Sequence, residues 1–243
     1  MLRAVDKLNI PLDIELDPTL TIDQACDTAE AMDIQDHRVS VLWSPNVARP
    51  RGAVSLYGPK KPRLASGAVL GMTLLRNARK SAKGIPYIAD PIAGESYPIT
   101  FKGLECRRDI KFTDEAVEKL ARAKINVIRE IDYSTGSKFV VADLLTQYVS
   151  ENSALRLKNS AEIACFTTNT CIAILKRHML KRMASYITDA NREIGEFLEA
   201  CSTEDVGLLQ PAEELGGRPY EYAITPDSER PFERVRLYLA RRP

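Results

Sequence analysis

Long apolar runs and a strong net charge of either sign are both missing from this sequence. No stretch of about 18 apolar residues occurs, so we expect no membrane-spanning helix. The 34 Lys and Arg residues nearly balance the 33 Asp and Glu residues, which leaves a formal net charge of +1. Because such a chain has no bulk field to collect nucleic acid or anionic lipid, we predict that neither nucleic acid nor a membrane is a direct partner. The first residues lack the apolar core of a secretory signal, so we expect assembly in the cytoplasm.

Residues that commonly carry catalysis or hold metals are also scarce. The two histidines, His37 and His178, have no second histidine at the spacing of a zinc site. Phosphate-loop, dinucleotide-binding and nucleophile-elbow motifs are absent. We therefore predict that the protein is not an enzyme and has no catalytic residues, no metal site and no cofactor. The cysteines lack C-x-x-C spacing, which is typical of reduced thiols; they are Cys26, Cys106, Cys165, Cys171 and Cys201.

The composition and the hydrophobic periodicity indicate the fold class. With 44% hydrophobic and 28% charged residues, the chain is typical of a globular protein. Period-two segments alternate with helical segments in the first 145 residues, and Thr21 followed by Gln24 predicts a capping box. This pattern predicts an α/β fold of the mixed α+β type, with a mixed β-sheet flanked by helices. The predicted strands are Ile10–Leu16, Val39–Trp43, Ile85–Ala89, Ile125–Glu130 and Lys138–Ala142, with a hairpin at Ile99–Leu104 and helices over Ser66–Ala82 and after Thr113.

A proline-free block from about Asn159 to Ala200 has a helical period and is too long for one typical helix. Its middle is basic and its second part is acidic, which favours a new helix N-terminus near Ser185–Thr188. We predict that the basic cluster docks against an acidic partner surface, whereas the alternative is an ordinary solvated face. The cluster consists of Lys176, Arg177, Lys181 and Arg182.

The C-terminal end of the sequence contains one strand-like segment. Gln210–Pro231 is rich in Gly and Pro and predicts a loose linker, and Glu233–Ala240 then alternates apolar with polar residues. Such a strand needs a sheet, either in its own domain or at the sheet edge of a neighbouring subunit. We accordingly divide the chain into a core domain, residues 1–209, and a linker with an extended C-terminal strand arm, residues 210–243.

Several segments follow one another in a characteristic order along nearly the whole chain. The earlier segments are Thr19–Ala25, His37–Val39, Trp43–Pro45, Ser66–Met72 and Ala123–Ile128, and they are followed by a late helix, Asn191–Leu209, and a terminal strand, Pro231–Leu239. This order resembles that of contractile tail sheath proteins of myoviruses and of related injection machines.

The resemblance implies a mechanism without catalysis. Sheath subunits form stacked rings around a tube, and the C-terminal arm of each subunit adds a strand to the sheet of a neighbour. On triggering, the subunits move outward and the lattice contracts to drive genome delivery. The implied partners are other copies of this chain, the tail tube protein, and baseplate and tail terminator proteins, in a virion tail that is assembled in the host cytoplasm. The implied subunit interface consists of Val235, Arg236, Leu237, Tyr238 and Leu239. We predict that the basic cluster, Lys176, Arg177, Lys181 and Arg182, contacts the tail tube.

Two other classes of function stay open at this point. One is a soluble α/β enzyme with a site at the carboxyl ends of its strands, drawing on Asp90, Asp132 or Asp143. The other is a monomeric adaptor whose last strand folds back on its own domain. The size of the protein in solution distinguishes the adaptor, which stays monomeric at all concentrations, from a sheath subunit, which polymerises.

Overall fold

The computed structural model of the chain describes residues 9–50, 59–150, 152–231 and 233–243. Within these ranges the chain forms nine strands and five α-helices, which confirms the predicted mixed α/β class. None of the described helices is long and apolar enough to cross a membrane. The strands are β1 (Leu12–Glu15), β2 (Val39–Trp43), β3 (Asn46–Ala48), β4 (Lys61–Pro62), β5 (Glu105–Cys106), β6 (Ile125–Tyr133), β7 (Gly136–Val141), β8 (Tyr220–Pro226) and β9 (Val235–Arg241). The helices are α1 (Ile22–Ala31), α2 (Ser66–Ala78), α3 (Asp114–Arg122), α4 (Lys158–Arg177) and α5 (Met183–Cys201).

The chain divides into two compact units. The first comprises Met1–Arg76 and Asp90–Ala161, and the second comprises Asn77–Ala89 and Glu162–Pro243. Neither unit ends at residue 209, where the sequence analysis divides the chain. The physical reason is that apolar residues on both sides of this position belong to one buried cluster in the second unit.

The first unit is built on a four-stranded sheet in the order β1-β2-β6-β7. β1, β2 and β6 are parallel, with Leu12 opposite Val39, whereas β7 is antiparallel to β6. Parallel strands covered on both faces are nearly apolar throughout, and all five residues of β2 are buried. Trp43, the last residue of β2, is fully buried, and its Nε1 donates to the Asp17 carbonyl at 3.2 Å.

Two helices of the first unit begin at hydroxyl caps that the sequence predicts. The Thr21 hydroxyl accepts from the Gln24 amide at 3.3 Å, and the Gln24 side chain accepts from the Thr21 amide at 3.0 Å. These two bonds complete the predicted capping box of α1. The Thr113 hydroxyl likewise accepts from the Ala116 amide at 3.3 Å at the start of α3.

Two predicted β elements are wrong. Ile99–Leu104 forms no hairpin, because its first amide donates to the Phe139 carbonyl at 2.7 Å, and the strand that follows, β5, pairs with β3 instead. Ile85–Ala89 forms no strand beyond an isolated bridge between Lys80 and Pro86. Pro86 has no N–H and cannot donate to a continued ladder. The isoleucines of this segment lie in the apolar core of the second unit.

The core of the second unit is drawn mainly from α4, α5 and the last two strands. The prediction of two helices in the proline-free block is confirmed: α4 ends at Arg177, and α5 begins at Met183, two residues before the predicted segment. Ile174, Ile194 and Leu198 are among its fully buried side chains. The face of the β8–β9 hairpin that contains Leu237 packs against this cluster.

Candidate assembly surface

The last two strands form an antiparallel hairpin with one apolar face and one exposed face. In β9 the side chains of Val235, Leu237 and Leu239 pack against the core of the second unit, whereas Arg236 and Tyr238 are exposed. The alternation that the sequence predicts for this segment is therefore confirmed. The role of these five residues in a subunit interface stays a prediction.

The strand that pairs with β9 lies inside the segment predicted to be a loose linker. Gln210–Pro231 contains β8, which pairs with β9 from Tyr220 opposite Arg241 to Pro226 opposite Val235. The terminal segment is therefore not an extended arm with a lone strand in this structure. A period-two signal was available, because Tyr220, Tyr222 and Ile224 are separated by single residues. Flanking prolines and nearby glycines, which typify turns, obscured this signal.

One edge of β9 is open. The Asp227 amide donates to the Arg234 carbonyl at 2.9 Å. Asp227 and Arg234 are therefore a hydrogen-bonded pair, next to the last residue pair of β8 and β9. Since such pairs alternate along antiparallel strands, the odd-numbered residues of β9 direct their N–H and C=O groups away from β8. In the part of the chain that the structure describes, β8 and β9 form a sheet with no third strand. The outward-directed backbone groups belong to Val235, Leu237, Leu239 and Arg241.

The outer edge of β8 is a poorer template than the outer edge of β9. By the same alternation, Pro226 occupies an outward-directed position of β8, where it supplies no N–H. Proline is one of the residues by which edge strands avoid pairing. β9 contains no proline within Val235–Arg241. A further strand can therefore make a continuous ladder with β9.

Hydrogen bonds attach the hairpin to the helices of the second unit. One guanidinium nitrogen of Arg241 donates to the Ala164 carbonyl at 2.7 Å and to the Thr168 hydroxyl at 2.6 Å. The Tyr222 hydroxyl donates to the Asn191 carbonyl at 2.9 Å. Gly195 makes room for this ring, because a Cβ at that position would lie 2.7 Å from the Tyr222 hydroxyl. These bonds hold the hairpin, and with it the open edge of β9, against α4 and α5.

Asp227 organises the connection between β8 and β9. Its carboxylate accepts from the Arg236 side chain at 2.7 Å and from the Glu229 and Arg230 amides at 2.9 and 3.1 Å. These three hydrogen bonds lower the pKa of Asp227 below its ordinary value of 3.8, and the bond from Arg236 has the largest effect. The ionised carboxylate is therefore the form that the folded loop favours.

We expect acid to loosen this loop. Because the pKa of Asp227 is lowered in the folded chain, its contribution is complete above the ordinary pKa and is lost as the pH falls through the lowered pKa. Amide hydrogen exchange of Glu229 and Arg230, corrected for intrinsic rates, should show protection falling severalfold in that acidic window. In Asp227→Asn the protection should be low already at neutral pH and change little with acid. If acid lowered the amide protection equally in the unmodified chain and in Asp227→Asn, the proposed role of the Asp227 carboxylate would be contradicted.

The predicted docking cluster lies at the end of α4 and the start of α5. Arg177 forms an ion pair with Glu193 at 2.7 Å, and Lys181 forms one with Asp189 at 2.5 Å. Lys181 lowers the pKa of Asp189 through this hydrogen bond. Two of the four predicted cations are thus already paired within the unit, and sequence inspection did not identify their partners. The other two, Lys176 and Arg182, are exposed.

His178 is part of the same ion-pair network. Its Nε2 lies 2.6 Å from Glu193, and its Nδ1 lies 3.0 Å from the Lys181 ammonium. Cys171 is fully buried, as a small core residue would be, and burial raises the pKa of its thiol to about 11.

The enzymatic alternative rests on Asp90, Asp132 and Asp143, and it stays a prediction. Asp132 accepts a hydrogen bond from the Ser137 hydroxyl at 2.5 Å across the β6–β7 hairpin, which is an ordinary surface contact. Within residues 9–50, 59–150, 152–231 and 233–243, no group of three or more His, Cys, Asp or Glu side chains is placed to hold a metal ion.

Comparison with solved structures finds a similar fold. One chain in the cryo-EM structure of the anti-feeding prophage (AFP) baseplate matches with a TM-score of 0.57 and 13% sequence identity. The match covers 93% of this chain and 62% of the baseplate chain, so this chain spans less than two thirds of that chain's length. No family model matches the sequence, and no curated protein matches it. At this identity the match defines a shared fold.

Proposed function

We propose that this protein is a structural subunit of a contractile tail, of the sheath type, that joins neighbouring copies through strand pairing at β9. The observation that carries the proposal is the open, proline-free edge of β9 on a chain whose fold is similar to that of a baseplate chain of the anti-feeding prophage. In this proposal the subunits form rings around a tail tube and contact baseplate and tail terminator proteins. The particle carries them in its tail, and assembly takes place in the host cytoplasm.

The backbone geometry of the hairpin supports strand pairing as the link between subunits. Four consecutive outward positions of β9 offer N–H and C=O groups to an incoming strand, and main-chain bonds of this kind give affinity with little dependence on side chains. The exposed side chains of Arg236 and Tyr238 lie on the outer face, where they can contact the neighbouring strand. The incoming strand would be a segment of another copy of this chain.

A strand link suits a lattice that contracts. Backbone ladders persist when the subunits on either side rotate, provided that the connecting segments can bend, whereas side-chain interfaces can be exchanged between two packings. The energy for contraction would come from a larger buried interface in the contracted lattice. This mechanism needs neither a nucleotide nor a metal ion.

One observation favours a second candidate, the monomeric adaptor. β9 folds back and pairs with β8 of its own chain along seven residue pairs, which is the arrangement that an adaptor would have. Sedimentation velocity of the full chain over a wide concentration range separates the two candidates. We expect species larger than the 27.1 kDa monomer to grow with concentration for a sheath subunit. A single monomeric boundary at every concentration would favour the adaptor.

We predict that Lys176 and Arg182, which form no ion pair with the described residues, contribute to tube contact. Lys176→Glu combined with Arg182→Glu should reduce tube-guided assembly about tenfold, because both side chains are exposed and free of the ion pairs that Arg177 and Lys181 make. The measurement is co-sedimentation with tail tubes from the same particle, quantified at several ionic strengths.

The matched control for this experiment is Lys111→Glu combined with Arg108→Glu. These two cations are also exposed, they lie outside the docking cluster, and their reversal changes the net charge by the same amount. We expect the control to assemble like the unmodified chain. If both double variants assembled normally, the docking cluster would be an ordinary solvated face.

A further inference from the structure

Helix α2 has a large apolar surface that the described residues leave uncovered. Leu70, Leu74 and Leu75 are 55%, 61% and 69% exposed, and Leu64, just before the helix, is 55% exposed. No charged residue lies between Leu64 and Leu75. Four exposed leucines on one short segment form the kind of patch that marks an interaction site in soluble proteins.

Two glycines on the same helix strengthen this interpretation. Gly67 and Gly71 are exposed, one turn apart, and a Cβ built on either would meet no other atom within 4 Å. The packing of the described residues therefore requires neither glycine. Because a glycine inside a helix is destabilising relative to alanine, an external reason for Gly71 is expected. Two small residues one turn apart allow a second helix to approach closely.

The apolar surface leads into a basic groove within the first unit. The groove has a volume of about 550 Å³, and its lining includes Leu64 and Gly67 together with Arg49, Arg63 and Lys102. The Arg63 guanidinium lies 4.9 Å from the centre of the Phe101 ring, which also lines the groove. The Nε atom of Arg49 is buried and has no hydrogen-bond partner among the described residues.

The surrounding sequence has an unusual charge distribution. From His37 to Ala89 there are ten Lys and Arg residues and no Asp or Glu, although the whole chain is almost neutral. The nearby Glu105 carboxylate is bonded to Lys60. The groove therefore presents positive charge, whereas the adjoining helix face presents only apolar and small side chains.

We propose that α2 and the adjoining groove bind an amphipathic α-helix of a different protein, with an apolar face and carboxylates at one end. The apolar face would cover Leu70, Leu74 and Leu75 and approach α2 at Gly71. The carboxylates would lie in the groove against Arg49 and Arg63, whose charges they complement. This docking surface, defined by α2 and the groove, is separate from the β9 edge and does not depend on strand pairing.

The charge pattern favours this occupant over two others. A second copy docked face to face would bring the same basic grooves together, and like charges in an interface are unfavourable. Membrane association through charge commonly uses a cluster of about four to eight Lys and Arg residues beside an amphipathic helix. Here the basic side chains lie in a concave groove at one end of the apolar face, a geometry that suits a helix end.

The test uses two labelled peptides of about five helical turns. The acidic peptide carries leucines on one face and glutamates elsewhere, and the basic peptide has lysine at every glutamate position. Fluorescence anisotropy with the full chain should show binding of the acidic peptide about tenfold tighter than that of the basic peptide. Leu74→Glu should weaken binding of the acidic peptide by at least about tenfold. Equal affinity for both peptides, or no effect of Leu74→Glu, would overturn the proposal.

Gly71→Ala gives a sharper test, because it should raise the stability of the free chain and lower its affinity for the acidic peptide. The free chain should melt about 1–3 °C higher, since alanine is the better helix former and its Cβ meets no other atom. The acidic peptide should bind roughly tenfold more weakly, because the methyl group blocks close approach. Higher stability with unchanged affinity would overturn the proposed approach at Gly71.

A second copy of the chain or a membrane at the α2 surface would give different results with the unmodified chain and the same variants. Self-association of the full chain that Leu74→Glu removes would assign the face to a second copy and overturn the proposal. Binding to vesicles of phosphatidylserine and phosphatidylcholine that depends on Leu74 would assign it to a membrane and also overturn it. Leu239→Pro, which tests the β9 edge, should bind the acidic peptide like the unmodified chain, so the two proposals can fail independently.

Discussion

Leu239→Pro should abolish polymer formation and leave the folded monomer intact. Leu239 directs its N–H away from β8, toward the edge at which we propose that a neighbouring strand pairs. Proline removes this N–H, and proline is tolerated in an edge strand when its N–H would face solvent. The fold should therefore survive while the ladder between subunits loses a bond and gains a steric block.

Leu239→Ala is the matched control. Both variants lose the packing of the half-buried Leu239 side chain against the core of the second unit. This loss should lower the free energy of unfolding by about 1–2 kcal/mol. Only the proline variant also loses the outward N–H. In sedimentation velocity we expect polymers from the alanine variant and monomers from the proline variant at the same concentration. Polymers from both variants would exclude pairing at this position of β9.

A third variant, Ala240→Pro, checks the assigned direction of the backbone groups. The Ala240 N–H points toward β8 in the same alternation, so proline at this position should break the hairpin itself. We expect its circular dichroism and thermal melting to change much more than those of Leu239→Pro. A similar response of both variants would contradict the assignment of the open edge.

Trp43→Ala should cause the largest loss of stability that we predict. The side chain is fully buried in the core of the first unit, and its indole N–H donates to the Asp17 carbonyl at 3.2 Å. Removal of a large buried aromatic side chain leaves a cavity and typically costs about 3–5 kcal/mol. Urea unfolding followed by circular dichroism should show the midpoint falling by more than about 1 M.

Trp43→Phe separates packing from hydrogen bonding at this site. Phenylalanine retains much of the apolar volume and removes the indole donor, while the Asp17 carbonyl still accepts from the Leu20 amide at 3.3 Å. The free energy of unfolding should therefore fall by a smaller amount, about 1–2 kcal/mol. Equal losses for alanine and phenylalanine would show that the hydrogen bond, and not the buried volume, dominates.

Local signals in the sequence predict a large part of the fold. The Thr21–Gln24 capping box and the Thr113 cap are formed between residues three apart, and both are confirmed. The strand predicted at Val39–Trp43 is likewise confirmed, because β2 has the same bounds. Ile85–Ala89 was mispredicted because its apolar pattern fits a strand, whereas Pro86 and the packing of its isoleucines in the second unit determine the outcome.

The candidate surfaces could be predicted only in part. The inward and outward faces of β9 follow from period-two alternation, but its pairing with β8 depends on a segment whose flanking prolines indicate a turn. The pairing of Arg177 with Glu193 joins residues on different helices, so it depends on the tertiary fold. The exposure of Leu70 and Leu74 is likewise a tertiary property, because an apolar helix face in a sequence usually predicts core.

Negative-stain electron microscopy of the purified full-length chain at high concentration tests the central claim most directly. The claim that β9 links copies of this chain into a sheath-type lattice predicts closed rings or hollow tubes with a central lumen. These assemblies should persist in Leu239→Ala and be absent in Leu239→Pro. Single compact particles at every concentration in the unmodified chain would contradict the claim and leave the monomeric adaptor as the better account.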